Sequence, residues 1–438
     1  GTAAVQANVL NTYNQVRNHI EQGIATAYPF ASPVLGWAHP WGVKYGGMTS
    51  GSEIYYYDGF KTAEVSSKQG YRAYELTHRM YCERQPQVLY NQDGETTRLD
   101  QWLVQGNGFQ YLNANFFQKV LSGNDPFGMN VSPAFQRNYV AAHALKPAYE
   151  ADLLAHTPID FQHYIRFLHS PMVLAWLGND ALAKDDIRMA AEIFRLGYNE
   201  HYNNAAGASI VSGLRADMNF VQATPGVGMA FGRGESWGMV SATAAYGLSD
   251  PVWRGRWLNW FQKIDDTVAA GQSNCNGFIQ SIINVKNLAG QFRTRQSIEQ
   301  GIIENMLWGL KESVLRGVDN ARFAQTEQVL TDSLYSMIGP MAWNTTGHGV
   351  WAHVAVAPLA LNQPPYCGSI PAGGGGNGTD AYMTPSSFAY GYELTGDTQF
   401  LIKASEALAG GSPNLLNALK GQNFSSLENK AALFACLQ

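Results

Sequence analysis

The chain has 438 residues, enough for a large core, and carries a net charge of −5 with only 14% charged residues against 45% hydrophobic ones. That charge content is far below the roughly 25% of an average domain. With no run of Lys or Arg, it argues against broad binding to a nucleic-acid backbone or to a membrane surface. No stretch reaches the 18 or so unbroken apolar residues of a membrane span. Aromatic residues are plentiful, with 22 Tyr, 20 Phe and 11 Trp, and they supply flat apolar faces that can stack on a ligand.

From the N-terminus, residues 4–28 repeat apolar side chains at helical steps. A long aromatic and glycine-rich passage follows, from Tyr28 to Phe60, with Trp37, Trp41, Glu53 and Asp58 among its residues. The pattern predicts a helix from Gln69 to Tyr90 and another apolar segment from Trp102 to Leu121. Ser132-Pro133 starts a helix through Ala155, and Thr157-Pro158 starts the next, which holds Asp160, His163, Arg166 and His169. Further helices are predicted over 185–202, 235–248, 251–270, 275–290, 293–316, 320–338, 347–361, 384–394 and 397–409, with a loop passage from Gly207 to Gly228.

Three stops share one grammar: Gly178-Asn-Asp180, Leu248-Ser-Asp250 and Leu394-Thr-Gly-Asp397. In each a helix ends and an Asp is placed to cap the next. Apolar helix faces without alternating strands predict an all-α fold. Paired helices of this number, without polar end caps, fit a closed (α/α)6 toroid, a double ring, better than an open solenoid. The same grammar resumes after the loop Gly373-Gly-Gly-Gly376, so 1–438 reads as one domain.

The four cysteines, Cys82, Cys275, Cys367 and Cys436, show no metal-ligand spacing. They allow two disulfides in three pairings, or four free thiols. The scarcity of Lys, the wealth of Asn, Gly and Tyr, and a first residue that is Gly1 point to an exported protein, secreted or periplasmic. Asn130, Asn344, Asn377 and Asn423 stand in Asn-x-Ser/Thr sites.

The richest stretch for chemistry runs from Ala230 to Asp250. It opens with Gly232 and Gly234, and sets Arg233, Glu235 and Trp237 within five residues at the mouth of an apolar helix. A cation, a carboxylate and an indole are the means by which a protein holds an acidic sugar. Equally, a Glu in a first turn favours the helix dipole and a Trp fills a core. Gly232-x-Gly234 lacks the preceding strand of a nucleotide loop, so no nucleotide cofactor is expected. Hydrolysis would draw a carboxyl pair from Asp160, Glu235, Asp217 and Glu53. Elimination would draw a base and a neutralising cation from His163, Arg166, His201, Arg233, His348, His353 and Tyr382. Epimerisation by two His residues is a third option. His348 and His353 stand five apart, which is not a helical metal pair.

Residues from about 155 to 250 resemble the unsaturated glucuronyl hydrolases, which are (α/α)6 toroids. The matching pieces are Ile159-Asp160, Leu174-Ala-Trp-Leu-Gly-Asn-Asp180, Glu200-His201, Arg233-Gly-Glu-Ser-Trp237 and Ala245-Tyr246. Glu235-Ser236 stands where that family carries Gln-Ala. The resemblance implies Asp160 as general acid/base, Arg233 and Trp237 as sugar-binding residues, and His201 as a site residue by position. Asp93 and Asp100 are the candidates for the family's other catalytic Asp, and Asp100 is the better match because Asp93 lies in the turn Asn91-Gln-Asp-Gly94. The expectation is an enzyme acting on uronic-acid glycans, with an oligo- or polysaccharide substrate and no metal or cofactor. The alternatives are a polysaccharide lyase and a non-catalytic exported glycan-binding or structural protein.

Overall fold

The structure, a computed structural model, describes Gly94, Thr96, 175–176, 178–198, Glu200, 213–281, 292–358 and 384–409. These residues are 66% helical with few strands, which places them in the helical class. In chain order the elements are α1 (Ala181–Gly197), α2 (Leu214–Ala223), α3 (Arg233–Leu248), α4 (Pro251–Gly271), β1 (Phe292–Gln296) and α5 (Ser297–Gly309). A π-helical turn, Leu310–Leu315, continues α5. Then come α6 (Asn320–Ile338), β2 (Trp343–Asn344), β3 (Gly349–Val350), β4 (His353–Pro358), α7 (Thr384–Thr395) and α8 (Gln399–Ala409). Among the described residues no helix is long and apolar enough to cross a membrane.

The three predicted stops form as the side chains dictate. Asn179 takes a left-handed φ of 53° after a helical residue, and Asp180 Oδ1 then accepts from the Ala183 N–H at 3.0 Å. Asp250 Oδ1 accepts from Val252 and Trp253 N–H at 2.8 and 2.9 Å, with Pro251 opening α4. At the third stop the Gly396 N–H donates to Tyr392 O, and Asp397 Oδ1 accepts from the Gln399 N–H at 2.8 Å. Each Asp answers amide hydrogens that the first helical turn leaves without partners.

The contacts divide the chain into two compact units: Gly1–Val16, Ala216–Ser236 and Asp250–Gln438 form one, Arg17–Arg215 and Trp237–Ser249 the other. In the first unit, α4 buries Trp253, Trp257, Trp260, Phe261, Ile264 and Val268 along one face, with Trp253 stacked on Trp257 at 4.3 Å. Helix α6 buries Val329, Leu330, Leu334 and Met337 and packs on α4, α5 and α7; α7 packs on α8. In the second unit, α1 buries Ala183, Ile187, Ala190, Ala191 and Phe194 at helical spacing. Its Arg188 donates to Leu248 O at 2.9 Å and to Ser249 Oγ at 3.1 Å.

Three segments differ from the sequence expectation. The helix predicted over 293–316 begins as strand β1 and turns helical only at Ser297. The helix predicted over 347–361 is strand instead: β3, then β4, which pairs antiparallel with β1 and shifts register between Arg293 and Thr294. Val354, Ala355, Val356 and Ala357 are all buried, so their apolar run carries no helical period. Of the helix predicted over 275–290, residues 275–281 are turn and extended chain, with Gln280 bridged to Met229. Conversely, α2 lies inside the passage 207–228, which reads as loop in the sequence. An all-helical expectation therefore needs two small antiparallel sheets added to it.

Candidate active site

Helices α3 and α5, both with residues of the first unit at their starts, carry glutamates at the same place. Glu235 is the third residue of α3 and Glu299 the third of α5. In a capping box a glutamate at that position reaches back to the amide of the capping residue. Glu235 does so: its Oε2 accepts from the Gly232 N–H at 2.9 Å. Ser236 closes the turn, donating through N–H and Oγ to Gly232 O at 3.0 and 2.7 Å.

Glu299 does not cap its own helix. The Gln296 N–H donates instead to Gln280 Oε1 at 2.9 Å. Gln280 is placed for this by a parallel bridge, in which Met229 N–H donates to Ile279 O and Ser281 N–H to Met229 O. Glu299 turns to Arg233, whose Nε stands 3.1 Å from its Oε1.

Gly232 is where these groups meet. A Cβ added there would lie 3.0 Å from Gln280 Nε2, 3.1 Å from Glu299 Oε2 and 3.7 Å from Glu235 Oε2. Only a residue without a side chain leaves that point open. Both glutamates are buried, at 2% and 5% exposure, while the Arg233 side chain is 45% exposed. Burial pushes the Glu299 carboxyl above its ordinary range, and the Arg233 charge pulls it back. The arrangement is thus a buried carboxyl pair with an amide between them and a guanidinium reaching from one of them toward water.

Trp237 follows one turn along α3, is 9% exposed and receives the Ser241 Oγ donation on its carbonyl. Asp217 is buried in the first turn of α2. His348 sits at a left-handed φ of 51° in the loop joining β2 to β3. His353 begins β4, and burial and Arg295 lower its pKa. Asp160, His163, Arg166 and His201 lie outside the described residues, as do Glu53, Asp100 and Tyr382. Among the described residues no cluster of His, Cys, Asp and Glu has the makings of a metal site.

Further along α5, Glu304 is fully buried and accepts from Ser333 Oγ of α6 at 2.7 Å and from Ser387 Oγ of α7. Gln300 Nε2 donates in turn to Ser333 Oγ at 2.6 Å. Burial pushes Glu304 up to about 7 against the two hydroxyl bonds and Arg295. This network ties α5, α6 and α7 together, further along the helix that carries Glu299.

Arg233 and Glu235 are legible in the sequence as candidate site residues, whereas Glu299 and Gln280 are not. A signal was present, since Gln296-Ser-Ile-Glu299 repeats the spacing of Gly232-Arg-Gly-Glu235. A helix drawn from 293 hides it, because Glu299 then falls in mid-helix. Comparison with protein families, with curated proteins and with solved structures finds no match.

Proposed function

We propose that this protein is a carbohydrate-active enzyme of exported location that hydrolyses uronic-acid glycans, of the unsaturated-uronyl type, on an (α/α)6 toroid frame. The observation that carries the reading is the carboxyl pair Glu235 and Glu299 around Gly232, with Arg233 bridging to water. Hydrolysis of a sugar bond needs one carboxyl to deliver a proton and a partner to take the proton of the attacking water. One oxygen of each stands 3.1 and 3.7 Å from the point a Gly232 Cβ would occupy, which keeps the two carboxyls close enough together to act as a pair.

Arg233 has a second use in this scheme. A uronate carboxylate entering the site competes with Glu299 for the guanidinium. As Arg233 turns to the substrate, Glu299 loses the charge that lowers its pKa and holds its proton more tightly. Substrate binding thereby prepares Glu299 as the acid. Glu235 is the carboxylate partner, and Trp237 lies one turn on from Arg233.

Successive helices that also pack on one another, α5 with α6, α6 with α7 and α7 with α8, are consistent with the toroid frame. Cys275 is disulfide-bonded, which accords with an oxidising compartment. The family resemblance adds Asp160 as an acid/base and His201, His163 and Arg166 as site residues.

The deciding experiment incubates the protein with uronic-acid polymers and with their unsaturated oligosaccharides, following ultraviolet absorbance of the conjugated product. Loss of absorbance from the unsaturated fragments supports hydrolysis. A gain from intact polymers means elimination and assigns the protein to the lyases. Silence on both rejects the catalytic reading. With turnover in hand, Asp160→Asn is expected to bind substrate and not turn it over; full turnover removes Asp160 from the mechanism.

A further inference from the structure

A cleft of about 930 Å³ opens in the first unit between the end of α6, the β2–β3 hairpin and α8. Trp343 forms its inner wall at 4% exposure, held edge-on by Phe388 at 6.1 Å. Trp351 lines it from the chain just after β3 and is half-buried. Among the described residues no aromatic ring packs against Trp351. Lys403 of α8 stands with Nζ 4.8 Å over the Trp343 ring, steadied by Glu406 at 2.9 Å. Thr345 and Thr346 are exposed and line the rim.

The hairpin loop on this cleft is fixed in advance. Asn344 Oδ1 accepts from Thr346 and Gly347 N–H at 3.0 and 2.9 Å, and Asn344 is only 6% exposed. That occupies the side chain of a residue whose sequence fits an N-glycan acceptor. Among the described residues the buried Trp343 Nε1 donor finds no acceptor. Such a group is costly unless a ligand or water reaches it.

The cleft is also tied to the glutamate pair. Ser297 Oγ donates to Trp351 O, and the Ser297 N–H donates to Ala352 O at 3.0 Å. Ser297 opens α5, two residues before Glu299. The backbone that presents Trp351 is therefore pinned to the helix turn that presents the proposed acid.

From this we infer that the Trp351–Lys403 cleft is a glycan subsite, which seats a further sugar ring of an acidic chain whose scissile unit lies at Glu299. An apolar ring face stacks on the open side of Trp351, ring hydroxyls meet Thr345 and Thr346, and a uronate carboxylate pairs with Lys403. A loop already locked by Asn344 loses little freedom on binding. The placement at Glu299 rests on the proposed hydrolytic function; the binding of glycan at Trp351 does not.

The test is electrophoresis of the full chain through gels holding polygalacturonate, alginate, hyaluronate or neutral hydroxyethyl cellulose, with Trp351→Ala, Trp351→Phe and Lys403→Met beside the wild type. At least one acidic polymer should retard the wild type. Trp351→Ala should weaken that retardation about tenfold, Trp351→Phe should retain most of it, and Lys403→Met should lose preference for the acidic polymers over the neutral one. Melting curves of each variant confirm folding, and Trp351→Phe carries the test if Trp351→Ala does not fold. Wild type that no polymer retards, or variants retarded like wild type, overturn the subsite. Retardation by an acidic polymer whose unsaturated oligosaccharides the protein leaves intact keeps the subsite standing and rejects the hydrolase.

Discussion

Arg233 Nε stands 3.1 Å from Glu299 Oε1, and the two side chains differ sharply in surroundings, that of the arginine 45% exposed and that of the glutamate 7%. The cation lies at the water boundary and the acid behind it. On the proposed function, a uronate carboxylate entering from water meets the guanidinium first.

Removing that cation should change both affinity and pH dependence. Burial raises the Glu299 pKa and Arg233 lowers it. With Arg233→Ala only the raising cause remains, so Glu299 keeps its proton to higher pH. If Glu299 is the acid, the alkaline limb of kcat/KM, which reports the free enzyme, moves upward in this variant. Binding of an unsaturated uronate disaccharide should fall about 10- to 100-fold, the worth of one charge-assisted pair. Calorimetry and a pH–rate profile measure the two effects. An unmoved limb with unchanged affinity removes Arg233 from the site.

Glu235 has a structural duty that a careful substitution can keep. Its Oε2 accepts from the Gly232 N–H, and a glutamine at this position caps as a glutamate does. Glu235→Gln should therefore melt close to the wild type and lose turnover by a factor of about a hundred or more. Glu235→Ala should lose turnover and also about 1 kcal/mol of stability. If Glu235→Gln is fully active, the residue serves only as a cap.

Local rules were readable in this sequence wherever one residue decides the outcome. Asp180, Asp250 and Asp397 cap helices because a short acceptor after a stop has few other uses. The helices 251–271, 320–338, 384–395 and 399–409 follow from apolar period and those caps. Errors fell where partners distant in the chain decide. Phe292–Gln296 is a strand only because His353–Pro358 comes beside it, and neither segment alternates clearly because both are buried on two faces. Glu299 could not be placed without that strand, since β1 fixes where α5 begins. Gln280 was invisible for the same reason, as its capping role needs the bridge to Met229.

Stability should fall as pH rises through neutrality, against the usual behaviour of carboxylates. Asp265 on α4 accepts from Thr326 Oγ1 at 2.6 Å and from Gln325 Nε2 at 2.9 Å, yet burial outweighs both and pushes it up to about 6. Glu304 is pushed up to about 7 by its own burial. A carboxyl whose pKa is higher folded than unfolded binds its proton more tightly in the folded chain. Its contribution is full below the unfolded value and disappears as pH rises through the folded one. The window here is roughly pH 4 to 7, and each group accounts for roughly 3 kcal/mol across it. Denaturant unfolding at pH 4.5 and pH 8 should show the loss, and Asp265→Asn should reduce it. A wild type equally stable at both values means these carboxyls are not buried as described.

Two glycines on helices of the first unit should respond in opposite directions to the same substitution. On α7, a Cβ at Gly391 would lie 2.3 Å from Phe400 Cδ1 of α8, with more of that ring within 2.5 Å. Phe400 is fully buried, so its ring has no free space to move into. On α4, a Cβ at Gly255 meets nothing within 4 Å, and the residue is exposed. Gly255→Ala therefore gains helix propensity alone, and should raise stability by about 0.5–1 kcal/mol. Gly391→Ala gains the same propensity and forces α7 from α8, with a net loss of about 1–3 kcal/mol. Shrinking the ring distinguishes packing from any other cause: Gly391→Ala with Phe400→Leu should lose less than the two single losses added together. Additive losses in that double mutant would mean that α7 and α8 do not meet at this pair.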